Sequence, residues 1–440
     1  MVDSIRRVIA AVLVIAASAI VLTSCQTGRL GARCATKDFG QDATNVLVCK
    51  NGRWQRSITK QQAAVLIINL IKARQTTTTT TTTTTAPAKP VVTQISTGDS
   101  HTCAVRSDGT AWCWGFNAEG ELGNGTTTNA PAPERVGGLT NAAEISAGYQ
   151  HTCAVRVDST VSCWGYNFDG QLGDGTTTDA LTPVRVSGIT TATQVATGFG
   201  HSCALLADKT VRCWGYNPYG QLGDGTTTNR TTPVGVTGIT TATQIAVAGD
   251  HSCALLADKT VRCWGYNASG QLGDGTTTAS STAVAVTGIT TATQIAAGFY
   301  QSCALLADKT VRCWGSNPFG QLGDGTTTNR TTPVQTQNIT TATQIRTGTD
   351  QSCALLADAT VRCWGLNSSG QLGDATTTNR TTPVQTQGIT SAMQIATGGD
   401  HACALLLDST VSCWGLNASG QLGDSTTTNK TTPVRVALPS

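Results

Sequence analysis

The chain predicts an all-β fold: a seven-bladed β-propeller of about four strands per blade, preceded by a small disulfide-containing N-terminal module. Three observations carry this reading. Residues 91–440 repeat one fifty-residue unit seven times without insertion or deletion, and self-similarity at such a period marks stacked supersecondary units. Each unit holds four short stretches of β-branched, Ala or Leu residues bounded by Gly, Asp or Thr, as in strands joined by turns. Each unit also carries one Cys-x9-Cys pair. Together the repeats are long enough to bury an extensive core once the blades stack.

Within the unit spanning 193–242, the pattern predicts strands over Gln194–Thr197, Ser202–Leu206, Thr210–Trp214 and Pro233–Val236. Antiparallel order then decides which loops share a face. The short turn before the second strand and the long loop from Asn217 to Thr232 emerge on one side. The Ala-Asp-Lys-Thr turn and the Gly-Ile-Thr-Thr-Ala link emerge on the other.

The cysteine pairs are Cys103–Cys113, Cys153–Cys163, Cys203–Cys213, Cys253–Cys263, Cys303–Cys313, Cys353–Cys363 and Cys403–Cys413. A hairpin centred on Asp108-Gly109 or Asp208-Lys209 sets the two thiols directly opposite, the register a cross-strand disulfide needs. Zinc would call for C-x2-C spacing and four ligands, where each unit offers two. Each closed loop is expected to stabilise the fold by about 2–3 kcal/mol. Cys34 and Cys49 remain to pair with each other, which leaves Cys25 as the odd one.

The repeated skeleton reads G-x-x-[HQ]-x-C-A-[LV], then C-W-G, then G-[QE]-L-G-[DN], in all seven copies. This skeleton resembles the repeat of the regulator of chromosome condensation family, and the likeness covers all of residues 91–440. The resemblance implies a seven-bladed propeller that works by binding. Known members include a guanine-nucleotide exchange factor for a nuclear GTPase and a secreted bacterial inhibitor that grips β-lactamases with one face of its ring. The chain departs from that pattern in its export signal and its paired cysteines. It has no insertion between blades to act as an exchange wedge, so exchange activity is not expected to carry over.

Residues 1–24 read as a signal peptide: Arg6 and Arg7 precede an apolar run from Val8 to Leu22, too short for a spanning helix. The run ends in Leu22-Thr23-Ser24-Cys25, which resembles the lipobox of bacterial lipoproteins, so lipidation is expected at Cys25. Residues 25–75 read as a small anchored module with a Cys34–Cys49 bridge around a Gly/Asp/Asn loop. An Asn51-Gly52 hairpin follows, then a short helix from Thr59 to Arg74. Thr76–Thr85 and the Pro-containing stretch to residue 90 form a linker reaching about 50 Å when extended. The expected address is a bacterial cell surface or periplasmic face, held to the membrane by the lipid; ordinary cleavage near Ser24 without lipidation would instead leave a free secreted protein.

Charge is unevenly divided. Residues 1–90 hold 12 Lys/Arg against 3 Asp/Glu, whereas residues 91–440 hold 17 against 23. An acidic repeat region argues against a nucleic-acid partner, whose binding depends on neutralising phosphates. No chemistry stands out either. His101, His151, His201, His251 and His401 occupy one repeat position, shared with Gln301 and Gln351, and a periodic structural hydrogen bond explains them. Asp174, Asp224, Asp274 and Asp324 fit Asx turns better than a metal site. No catalytic residue, metal or cofactor is expected, and the chain is expected to be a monomer.

The seven Trp of the Cys-Trp-Gly step read as core between blades. Of 12 Phe and Tyr, all but Phe39 fall in the loops of a single propeller face. Phe116, Tyr166, Tyr216 and Tyr266 hold one repeat position and are expected to pack against the next blade. Tyr149, Phe168, Phe199, Tyr219, Phe299, Tyr300 and Phe319 sit where the repeats disagree, so they are the candidate binding face. The sequence thus points to a binding scaffold for a protein or glycan at the cell surface, with a purely structural adhesion role as the alternative.

Overall fold

Each blade is organised around the hairpin between its paired cysteines. In blade 3 the Asp208 carboxylate accepts hydrogen bonds from the amide and hydroxyl of Thr210 at 3.0 and 2.7 Å. Lys209 between them takes φ 68°, the left-handed conformation such a turn demands. The flanking strands then pair so that Cys203 faces Cys213. Their Cα atoms are 4.1 Å apart and the disulfide is closed. The same bridge closes in all seven blades.

The computed structural model describes residues 39–41, 45–50, 53–59 and 89–439. The chain divides into two units, residues 1–87 and 88–440. In the first, β1 (Phe39–Gln41), β2 (Asn45–Lys50) and β3 (Arg53–Thr59) form one antiparallel sheet in that order. Lys50 pairs with Arg53 across the Asn-Gly step, the hairpin read from sequence. The stretch from 39 to 48, expected as a loop, instead supplies strands, because Val46, Leu47 and Val48 favour extended backbone. The signal peptide, Cys25, the Cys34–Cys49 bridge, the helix after Thr59 and most of the linker lie outside the described residues.

The second unit is seven four-stranded antiparallel sheets. Blade 1 is β4 (Val92–Thr97), β5 (His101–Arg106), β6 (Ala111–Gly115) and β7 (Ala130–Arg135). The expected strands all exist, with shifted ends. In blade 3 the first runs Ala192–Thr197 and the fourth Arg230–Gly235. Arg230, Thr231 and Thr232 carry no apolar signal, yet Arg230 pairs with Gly215 across a bulge. Pro233 is tolerated because the fourth strand is an edge.

Between neighbouring blades lies a sealed apolar layer. Cys103, Val105, Cys113, Leu122, Val136, Leu139 and Ile145 surround Trp164 between blades 1 and 2. Every Trp of the Cys-Trp-Gly step is fully buried, and its indole N–H donates to the preceding blade, as Trp164 does to the Glu121 carbonyl at 2.9 Å. A buried Trp with its N–H satisfied contributes both area and orientation.

The ring closes without sharing strands between the chain ends. Blade 7 consists wholly of C-terminal strands and meets blade 1 through the contacts any two neighbours use. Gln394 clamps Ile95, accepting its N–H at 3.0 Å and donating to its carbonyl at 3.2 Å. Trp114 donates to the Gln421 carbonyl at 3.0 Å. Closure by repetition removes exposed interface without any special terminal strand.

Candidate functional site

The first strands of all seven blades line a central channel, and the turns that follow them ring its mouth. These turns and the long loops before the fourth strands share one face, as antiparallel order requires. One ring position carries Asp99, Tyr149, Phe199, Gly249, Phe299, Thr349 and Gly399; the next carries Ser100, Gln150, Gly200, Asp250, Tyr300, Asp350 and Asp400. Copies that agree on their Cys, Trp and Leu framework thus differ most where the face opens to solvent.

Six rings on this face touch in sequence. Tyr149 packs on Phe199 with ring centroids 4.8 Å apart, and both meet Phe299 at 6.2 and 5.7 Å. Phe299 continues to Tyr300 at 4.6 Å, Tyr300 to Tyr266 at 6.4 Å, and Tyr266 to Tyr219 at 4.8 Å. The patch is lopsided, running from the channel mouth outward over blades 2 to 5. Phe199, Tyr219 and Tyr300 remain more than a third exposed.

Of the seven residues singled out from sequence, five therefore join one surface. Phe168 is the most exposed ring, at 70%, and stacks instead on Tyr166 at 6.4 Å. Phe319 is half-buried, and among the described residues no aromatic ring packs on it. Tyr266 was expected merely to fill space against the next blade. It bridges Tyr219 to Tyr300, a role its shared repeat position concealed.

The face is also acidic. Asp99, Asp250, Asp350 and Asp400 lie in the ring turns, and burial pushes all four carboxyls up, those of Asp250 and Asp350 to about 6. Gln221, Gln321 and Gln371 donate to Asp250, Asp350 and Asp400 at 3.3, 2.9 and 2.9 Å. The cations on the same face are already engaged. Arg230, Arg330, Arg380 and Lys430 pair with Asp224, Asp324, Asp374 and Asp424 at 2.8–3.5 Å. Those aspartates also accept from the following Thr, as in Thr226 to Asp224.

The histidines are buried beneath the face. His101, His151, His201, His251 and His401 each place Nε2 2.7–2.8 Å from a Thr or Ser hydroxyl in the next blade. The expected partner was a neighbouring turn. The Gln301 and Gln351 amides do bond there, to the Gly348 and Gly398 carbonyls.

Inside the channel two residues break the repeat. Gln94, Gln194, Gln244 and Gln394 each clamp the next blade's amide and carbonyl. Glu144 stands where a Gln belongs and accepts only from the Val195 amide; burial pushes its carboxyl up to about 8. Arg346 stands where other copies have Ser or Ala, and its charge partly opposes the Glu144 shift.

The fold is a closed wheel of seven four-stranded blades, a β-propeller with its variable loops gathered on one face. Sequence profiles name the family: the RCC1-like domain matches residues 65–292, and the regulator of chromosome condensation (RCC1) repeat matches segments between 292 and 421. The chain belongs to the regulator of chromosome condensation repeat family.

Solved structures share its fold. Human WBSCR16 is 23% identical with a TM-score of 0.66, over 72% of this chain and 86% of its own. Yeast RCC1 (Prp20), solved bound to Kap60, is 20% identical with a TM-score of 0.65, over 82% and 90%. Prp20p of Saccharomyces cerevisiae, described with its binding to Gsp1p and histones, is 21% identical with a TM-score of 0.66, over 79% and 88%.

Proposed function

We propose that this protein is a non-catalytic capture scaffold, exported and tethered by a lipid at Cys25, that binds a protein partner through the aromatic face. The observation that carries the reading is the run of six touching rings from Tyr149 to Tyr219, half-exposed on the face where the repeats diverge. Rigid aromatic side chains lose little conformational entropy on binding and dominate interface energetics. The framework beneath them is stapled by disulfides, so the rings are presented in a fixed arrangement. The export signal and oxidised blades are mutually consistent, since disulfides persist outside the cytosol.

The test is capture of envelope and surface proteins by the full chain in three forms. One is unaltered, one carries Phe199→Ala with Phe299→Ala, and one carries Lys209→Ala with Lys259→Ala on the opposite face. A partner retained by the first and third and lost by the second supports the reading. A partner indifferent to the aromatic pair, or lost with the lysines, overturns it.

A further inference from the structure

The channel mouth is a cavity of about 110 Å³ at the centre of the aromatic face, and its wall is chemically divided. Blades 2, 3 and 5 contribute Tyr149, Phe199 and Phe299. Blades 6, 7 and 1 contribute Thr349, Gly399 and Asp99 at the same ring position. Gly399 is what makes room there: a Cβ on it would lie 2.4 Å from Asp99 Oδ1. The carboxylate can therefore lean over blade 7, where burial first and the Asp400 charge second oppose its ionisation.

Three hydroxyls in the same wall have no partner. Thr97, Thr347 and Thr397 are each more than nine-tenths buried and line the cavity, yet their Oγ1 atoms make no hydrogen bond. Thr197, at the equivalent position in blade 3, bonds Ser146 at 2.8 Å. The position that holds Ser146 before Thr197 holds Ala396, Ala296 and Arg346 before Thr97, Thr347 and Thr397, so those hydroxyls are sealed between blades without a partner, and the Asp99 carboxylate is the polar group that the cavity reaches. Apart from the Ser100 hydroxyl on Oδ2, the Asp99 carboxylate accepts no side-chain hydrogen bond among the described residues, and it takes part in none of their ion pairs.

We propose that this mouth receives one cationic side chain, a lysine or arginine, of the protein partner; the proposal rests on the aromatic face being the docking face. The Asp99 carboxylate supplies the opposite charge and a hydrogen-bond acceptor, and Tyr149, Phe199 and Phe299 supply ring electron density. An anion is excluded by Asp99 and Asp400. A purely apolar plug would cover the carboxylate without pairing it, at a cost that disfavours it. Arg346 lies one residue deeper than Thr347 in the channel. Its charge keeps the incoming cation at the mouth instead of letting it descend.

The experiment titrates the full chain with N-acetyl-arginine amide and with its neutral isostere, N-acetyl-citrulline amide, following ligand resonances by saturation-transfer NMR. The arginine compound is expected to bind about tenfold tighter than the citrulline compound, the discrimination of one charge-assisted contact. Asp99→Asn, which keeps the shape, is expected to abolish that difference, and Tyr149→Leu to reduce it. Equal binding of the two probes, or an undiminished preference in Asp99→Asn, overturns the proposal. If the probes show no preference while partner capture still depends on Phe199 and Phe299, the cation site is wrong and the docking face stands. If the preference is found but capture ignores the aromatic pair, the site stands and its assignment to a protein partner falls.

Discussion

Nε2 of His201 lies 2.8 Å from Oγ of Ser252 in the next blade, with both groups sealed from solvent. The same link recurs at four other blade junctions. Burial holds the His201 and His151 imidazoles down to about 3 and those of His101 and His251 to about 4. The unfolded chain, with ordinary imidazoles, takes up protons below about pH 6.5 while the folded one does not. The histidine contribution is therefore complete above that pH and is lost as pH falls toward 4.

Each buried histidine is expected to cost about 1 kcal/mol per pH unit in that window. Asp250 and Asp350 act with the opposite sign, since their raised carboxyls favour the fold below pH 4 and lose that contribution as pH rises through 6. The clean readout is a difference. His251→Gln, which copies the residue native at 301 and 351, should flatten the dependence of the urea midpoint between pH 7 and 4.5 relative to the unaltered chain. Parallel pH profiles for the two proteins would refute the assignment.

Glu144 should be a weak link in the channel. A Gln there would donate to the Val195 carbonyl as well as accept from its amide, restoring the clamp seen at Gln194 and Ile245. Glu144→Gln is expected to stabilise by about 1 kcal/mol, the net worth of one hydrogen bond. Because the folded carboxyl titrates near 8, above its ordinary value, its contribution is present at low pH and lost as pH rises through 8. The gain from the variant should accordingly be larger at pH 9 than at pH 5 in thermal melts, and the reverse ordering would count against it.

Gly123 and Gly138 share a φ of 65°, so alanine meets the same backbone cost at both. They differ in surroundings. A Cβ at 123 would lie 2.6 Å from the Trp164 indole, whereas at 138 nothing lies within 4 Å. Gly138→Ala is expected to cost about 1 kcal/mol. Gly123→Ala adds overpacking of about 1–3 kcal/mol at the blade 1–2 junction. Equal losses on urea denaturation would mean that the Trp does not rest on that glycine.

The disulfides should be inert until the wheel opens, since all fourteen blade cysteines are buried. Dithiothreitol at neutral pH is expected to leave them intact, and to reduce all seven once guanidinium is added. Removing one bridge with Cys203→Ser and Cys213→Ser should cost about 2–3 kcal/mol. Ready reduction in the native state would show that blade junctions open far more often than their packing implies.

Much of the fold was legible because its signals are local. The Cys-x9-Cys spacing and the Asp-Lys turn set the Cys203–Cys213 register within one hairpin, and observed pairing agrees. The fourth strand was placed late because Arg230, Thr231 and Thr232 look like loop residues, and nothing nearby in sequence reveals the bulge that recruits them. Tyr266 escaped notice because it matches Phe116, Tyr166 and Tyr216 in position. Its difference lies in what the neighbouring blade sets beside it.

By itself the sequence determined the number of blades, the cysteine partners within them and the face that carries the aromatic rings. Those follow from a fifty-residue period and from strand alternation, both of which act over short stretches of chain. Tertiary structure alone decided which rings touch, why Asp99 lies beside Asp400, and that Glu144 and Arg346 line one channel. The physical reason is closure: a ring brings residues three hundred apart into contact, and its central cavity belongs to seven strands jointly and to no single repeat.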